Sequence, residues 1–162
     1  MEHSKHTLTT RGGDLRIIRA GEAELGKVYP LFDLYRQFYE QEPNPELDRE
    51  FLRNNIVNDH SVIFLATDPT GLELGFTQLY SGWCSVAAGP FWTLYDLYVV
   101  KSARNRGVAR ALMDEALTLA RETGACRIDL ETEIDNHNAQ ALYQDLGYQR
   151  DTAFYKYSLE LD

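Results

Sequence analysis

Cysteine is scarce in this sequence of 162 residues: Cys84 and Cys126 are the only two. They form no C-x-x-C pair, and two thiols make no disulfide framework, so a reducing cytoplasm is the expected setting. Long apolar runs are missing too. No stretch approaches the roughly 20 residues of a membrane helix, so no membrane partner is expected. The opening MEHSKHTLTTRGG has no apolar h-region and does not read as a secretory signal. Residues 1–13 are expected to form a flexible N-terminal arm, with His3 and His6 solvated rather than ligating, and no metal site is expected. Positive charge is also short. Sixteen Lys and Arg face 25 Asp and Glu, a formal net charge of −9. That balance argues against nucleic acid as the main partner and suits a cationic substrate.

What is present is ordinary globular composition, 44% apolar and 25% charged. It suits one domain, residues 14–162, able to bury a core. Residues 15–19, LRIIR, read as a short strand. Val28, Leu31, Phe32, Tyr35, Phe38 and Tyr39 then recur at helical spacing. Pro30 falls early in that helix, where a missing N–H costs least. Pro43-Asn44-Pro45 breaks the chain, and a second helix is expected over residues 46–55. Residues 61–67, SVIFLAT, are a buried strand by their β-branched and aromatic content. Asp68-Pro69-Thr70-Gly71 is turn chemistry. A partner strand over 72–81, a loop over 81–90 holding Trp83 and Cys84, and a third strand over 91–100 complete an antiparallel meander.

The most informative stretch is residues 94–124. An apolar strand block ends at Val100. A polar link follows, and from Gly107 a helical face runs through Val108, Ala111, Leu112, Ala116, Leu119 and Ala120 to a stop at Gly124. The first N–H groups of a helix lack partners inside it and carry partial positive charge. Gly107 and Ala109 lack bulk, and Arg104 and Arg106 add full charges. The combination describes a pyrophosphate cradle. It is neither a Walker A loop nor a G-x-G-x-x-G fingerprint. A strand over 126–132 comes next. A helix follows with Ala139, Leu142, Tyr143 and Leu146 on one face, Asn136 and Asn138 as cap-type residues, and Gly147 at its end. Residues 148–161 read as a final strand or hairpin.

Arg104-x-x-Gly107-x-Ala109 after a strand ending in Val resembles the coenzyme A-binding motif of the GNAT acetyltransferase superfamily. Residues 136–148 resemble the second signature of that family, N-x-x-A-x-x-L-Y-x-x-x-G-F/Y, at Asn136, Ala139, Leu142, Tyr143, Gly147 and Tyr148. Lys101, Asn105 and Ala109 depart from the common pattern. Asn105 keeps a residue tolerant of left-handed backbone. The pattern looks closest to the branch holding polyamine and histone-tail acetylators.

The resemblance implies an α/β (α+β) fold: a mixed, mostly antiparallel, twisted sheet flanked by helices. Two strands, near 94–100 and 126–132, splay in a V. It implies an N-acetyltransferase using acetyl-CoA, with direct attack of a primary amine on a small-molecule or peptide acceptor. Backbone groups of Leu97, Tyr98 and Val99 would hold the pantetheine arm. Those of Arg104, Asn105, Arg106, Gly107, Val108 and Ala109 would hold the pyrophosphate. Asn136 would orient the cofactor or a relay water, and Tyr143 would contact the cofactor and serve as the acid for the departing thiolate.

Asp96 lies in the otherwise apolar run LYDLYV. It reads either as a general base, its pKa raised by burial, or as a structural carboxylate held by backbone donors. Glu131 and Glu133 are weaker candidates. Tyr35 and Tyr39 read either as core packing or as the lining of the acceptor cleft. A homodimer is expected from the apolar FYKYSLEL segment and from the habits of relatives. A non-catalytic acyl-CoA-binding regulatory module is the alternative.

Overall fold

The computed structural model describes the backbone of residues 6–10 and 13–161, and side chains from residue 14 onward. His3 and the rest of residues 1–5 lie outside the described residues. The chain divides into two compact units, Met1–Leu130 and Glu131–Asp162.

The first unit is built on one sheet of six strands in sequence order. These are β1 (His6–Thr10), β2 (Gly13–Arg19), β3 (Ser61–Thr67), β4 (Glu73–Cys84), β5 (Gly89–Val99) and β6 (Ile128–Leu130). The first five pair antiparallel, and β6 pairs parallel to β5. His6–Thr10, expected within a flexible arm, instead pairs along β2. The β4–β5 hairpin is longer than its sequence suggested, so Trp83 and Cys84 belong to β4 rather than to a loop. Residues 81–88, SGWCSVAA, show no strand alternation, because an exposed ribbon does not need it.

Three helices flank this sheet: α1 (Leu25–Phe38), α2 (Pro45–Val57) and α3 (Val108–Glu122). Asn44 starts α2 by accepting a hydrogen bond from the Leu47 N–H at 3.2 Å, with Pro45 in the first turn. Pro30 is the sixth residue of α1, deeper than expected. It leaves the Gly26 carbonyl without its helical donor, on a turn that faces solvent. Val28, Leu31 and Phe32 of α1 and Leu52 of α2 bury against Ile63, Leu65 and Phe76. That is one face of the sheet. The other face receives α3, whose apolar stripe includes Val108, Leu112 and Ala116. Covered on both faces, β3 is buried throughout, which is why it reads as a continuous apolar run.

One irregularity decides which side chain faces which layer. Leu79 pairs with Leu94, but Gln78 pairs with Asp96, so Tyr95 is an extra residue in β5. Directly paired residues share a face, and successive residues alternate. Leu79 and Leu94 face α3, as does Trp92, whose indole N–H donates to Thr123 Oγ1 at 2.8 Å. In an unbroken register Asp96 would follow Leu94 onto that face. The bulge turns it to the opposite side, with Gln78 and Phe76, under α1 and α2.

In the second unit, α4 (His137–Asp145) begins at Asn136, whose side chain accepts from the Ala139 N–H at 3.2 Å. Asn138, the other cap-type residue, sits inside the helix. The expected final strand is not formed: residues 148–161 contain no strand or helix. Asp151 Oδ1 takes the backbone N–H groups of Ala153 and Phe154 at 2.7 and 3.2 Å, which closes a turn where a strand would run straight.

Gly75 tests the sheet register. A Cβ there would lie 2.5 Å from the Tyr98 carbonyl oxygen and 3.2 Å from Val99 Cα, both backbone atoms. Gly75→Ala is expected to lower unfolding free energy by about 2 kcal/mol, measured by urea denaturation. An unchanged midpoint would contradict the register at Gly75↔Val99.

Candidate active site

The polar link after β5 is a tight reversal. A 3-10 turn, Lys101–Ala103, buries Ala103 as its anchor. Asn105 and Gly107 then take left-handed backbone, with φ of 61° and 84°. Asparagine and glycine are the residues that adopt this conformation at least cost. The reversal delivers Gly107 as the N-terminal boundary of α3, and the first internal bond of the helix is Ala111 N–H to the Gly107 carbonyl. The N–H groups before it have no carbonyl a turn earlier. Arg104 folds back, donating from Nε to the Val99 carbonyl at 3.2 Å, which ties the loop to the end of the strand. Arg106 is half-buried beside it. Residues 104–109 thus form one basic, N–H-lined turn at the head of a 15-residue helix.

The strand leading there has an open side. Pairing between β5 and β6 covers three positions and stops at Leu94↔Leu130. Leu97, Tyr98 and Val99 pair only with Thr77, Phe76 and Gly75 on the other side. In an antiparallel ladder alternate residues turn their N–H and C=O groups away from the partner. On this stretch those groups meet no strand among the described residues. Of the two strands expected to splay, near 94–100 and 126–132, the second is confined to Ile128–Leu130, and its pairing with β5 ends at Leu94.

Asp96 sits at the start of the open stretch, 4% exposed. Gln78 Nε2 donates to its Oδ2 at 2.5 Å, and the Thr77 hydroxyl donates to its backbone carbonyl at 2.8 Å. The Tyr35 hydroxyl donates to the carbonyl of Tyr95, the bulged residue, at 3.4 Å. Burial pushes the Asp96 carboxyl up to about 6, and hydrogen bonds from Gln78 and Tyr35 restrain the rise. The same burial, with the Asp96 charge nearby, drives the Tyr35 phenol far above its ordinary range and Tyr80 up to about 12. Both phenols therefore stay protonated, Tyr35 as a donor to the Tyr95 carbonyl and Tyr80 accepting from the Asn55 amide. Tyr39, the other expected cleft residue, stacks edge-on against Tyr35 with centroids 5.1 Å apart and is more exposed.

Several residues of this cluster had no role in the sequence reading: Gln78, Asn55, Ser61 and Tyr80. A signal was available. GFTQLY carries Thr77 and Gln78 and LYDLYV carries Asp96 in otherwise apolar strands, and such interruptions on neighbouring strands suggest that they meet.

In the second unit Tyr143 is half-buried on α4, its ring centroid 6.1 Å from that of Tyr148. Asn136 uses its side-chain oxygen as the helix cap. Glu131 is exposed and ion-paired to Lys156 at 2.5 Å, and Glu133 is exposed. Neither shares the burial that sets Asp96 apart. Among the described residues, no group of three His, Cys, Asp or Glu is placed to hold a metal ion, and no helix is long and apolar enough to cross a membrane.

Residues 28–148 match the family model for the acetyltransferase (GNAT) family. An uncharacterized N-acetyltransferase of Bacillus subtilis, YhfO, is 36% identical over 147 residues, spanning 91% of this chain and 98% of its own. The crystal structure of a probable acetyltransferase superposes with a TM-score of 0.86 at 38% identity, over 91% of this chain and 98% of that one. A thialysine N-epsilon-acetyltransferase of Caenorhabditis elegans is 35% identical over 102 residues, 61% of each chain. The chain belongs to the GNAT acetyltransferase family.

A buried carboxyl with a raised pKa works against folding when ionised. The ordinary value is 3.8 and the folded value about 6, so the folded state holds the extra proton between them. Stability is therefore highest below 3.8 and is lost as pH rises through about 6. The gap corresponds to about 3 kcal/mol at most. Asp96→Asn, which still accepts from Gln78, is expected to be about 1–3 kcal/mol more stable than the parent at pH 8. The difference should close near pH 4. Thermal unfolding across pH measures this, and a parent as stable as the variant at pH 8 would contradict the burial of an ionised Asp96.

Proposed function

We propose that the chain is an acetyl-CoA-dependent N-acetyltransferase. Its acceptor is a primary amine, on a small molecule or a peptide. The observation that carries this reading is the placement of Asp96. A nearly buried carboxyl, raised to about 6, stands where the open stretch of β5 begins, on the strand that runs into the basic turn. A base with a pKa near working pH suits proton removal from an amine. The names of the two curated relatives, one an N-acetyltransferase and one acting on thialysine, support an amine acceptor.

Acetyl-CoA supplies an activated acyl thioester. The N–H groups of residues 104–109 and the two arginines suit its pyrophosphate, and the open N–H and C=O groups of Leu97, Tyr98 and Val99 suit an extended amide arm. An N–H on that stretch also suits a developing oxyanion. Asp96 takes the proton that the nitrogen loses as the C–N bond forms. Tyr143 gives a proton to the sulfur as the C–S bond breaks, and Asn136 orients the cofactor or a relay water. Tyr35 and Tyr39 line the acceptor side. The Tyr35 hydroxyl stays protonated and donates beside Asp96.

A cytoplasmic setting is supported by two unpaired cysteines. A second copy as partner is supported by Phe154, Tyr155, Tyr157, Leu159 and Leu161, which are 82–89% exposed.

Release of CoA thiol across a panel of amines tests the reading. Activity should rise with pH as Asp96 loses its proton. Asp96→Asn should abolish that acidic limb and lower kcat/KM by about 10²-fold. Tyr143→Phe should lower kcat by a similar factor, about 10²-fold, without changing the unfolding midpoint. Unchanged turnover of Tyr143→Phe at saturating acetyl-CoA would remove the acid role.

A further inference from the structure

The carboxyl of Asp96 is one end of a buried polar chain that crosses the sheet to α2. Gln78 Nε2 donates to Asp96 Oδ2 at 2.5 Å. Gln78 Oε1 receives the Ser61 hydroxyl at 2.7 Å and Asn55 Nδ2 at 3.2 Å. The Asn55 amide also donates to the Tyr80 hydroxyl at 3.1 Å. Asn55, Ser61, Gln78 and Asp96 are all buried, and they come from α2, β3, β4 and β5.

The direction of this chain is dictated from its acidic end. An ionised carboxyl only accepts, so it needs the NH₂ side of the Gln78 amide. That choice points the amide carbonyl at Ser61 and Asn55, which supply donors. A flipped Gln78 would set its oxygen against the Asp96 carboxylate at one end and its NH₂ against the Asn55 NH₂ at the other. Buried polar groups left in that state are costly, so the amide has one orientation. The titratable groups facing Asp96 are phenols: Tyr35 from α1, Tyr80 from β4 and Tyr95 beside it on β5.

We infer that Gln78 is a positioning residue for the acetyl-transfer reaction: its locked amide fixes one oxygen of Asp96 and sets how readily Asp96 gives up its proton. Ser61 and Asn55 act through it by holding the amide. The inference rests on the reading of Asp96 as the base, and it concerns residues outside both motifs of the sequence.

The test follows the Asp96 carboxyl directly, by ¹³C NMR titration of the full chain, with the resonance assigned through Asp96→Asn. Removing the donor in Gln78→Leu leaves the ionised form less stabilised. Its midpoint should rise by about one pH unit, a tenfold change in proton affinity. Gln78→Glu places a second carboxyl against the first and should raise it further. Should either variant fail to fold, Ser61→Ala keeps Gln78 and should move the midpoint in the same direction by less. The acidic limb of kcat/KM should follow each midpoint, whereas simple damage to packing would lower activity at every pH without moving the limb. Unmoved NMR midpoints in folded variants would overturn the inference. If the midpoints move and the kinetic limb does not, Gln78 still tunes Asp96, and the base assignment is what falls.

Discussion

The site depends on one extra residue in one strand. Tyr95 breaks the register between β4 and β5, so that Leu94 still faces α3 while Asp96 faces α1 and α2. An in-register strand would place that carboxyl in the apolar layer under α3, with no amide to meet it. The bulge instead sets it opposite Gln78, and the surrounding hydrogen bonds fit that choice. Thr77 and Tyr35 donate to the two backbone carbonyls at the irregularity, and Gln78 donates to the carboxyl itself. Bulges re-aim side chains in this way and then need local donors for the groups they release.

The same strand links the site to the basic turn before α3. β5 is paired on both sides as far as Leu94 and on one side beyond it. The polar backbone of its last residues is left facing outward in the run that ends at the left-handed Asn105 and Gly107. A carboxyl, an open strand edge and a helix N-terminus therefore follow in order within 14 residues of sequence. Rigid elements carry all three: the strand is held by β4, and α3 is held by its apolar stripe. The cost is local. Ionised Asp96 opposes folding, as carboxylates in low-dielectric surroundings do, and the packed layers on both faces of the sheet offset it.

Much of this was legible in the sequence, for physical reasons. α3 and the turn before it could be read because helix periodicity, a glycine at the helix boundary and paired arginines each carry their own signal. Asp96 stood out because a lone carboxylate in an apolar strand demands an explanation. Gln78 is the same kind of interruption, yet its meaning depends on register, and a bulge is invisible to residue patterning. The long β4–β5 ribbon was missed because its exposed end has no apolar face to alternate. The final strand was expected from apolar alternation in FYKYSLEL. Alternation supplies a face but no ladder partner, and Asp151 closes a turn at the start of the segment.

On the proposed reading Asp96, and not the acceptor alone, sets the acidic limb of the reaction. The most direct measurement is kcat/KM against pH for two acceptor amines, one strongly basic and one whose own pKa lies well below that of Asp96. Asp96 as the base predicts a limb near pH 6 with both, because that titrating group belongs to the protein; the strongly basic amine, which attacks only in its neutral form, adds a second limb at its own pKa. A single limb that follows the pKa of the amine, and vanishes with the weakly basic acceptor, would contradict it.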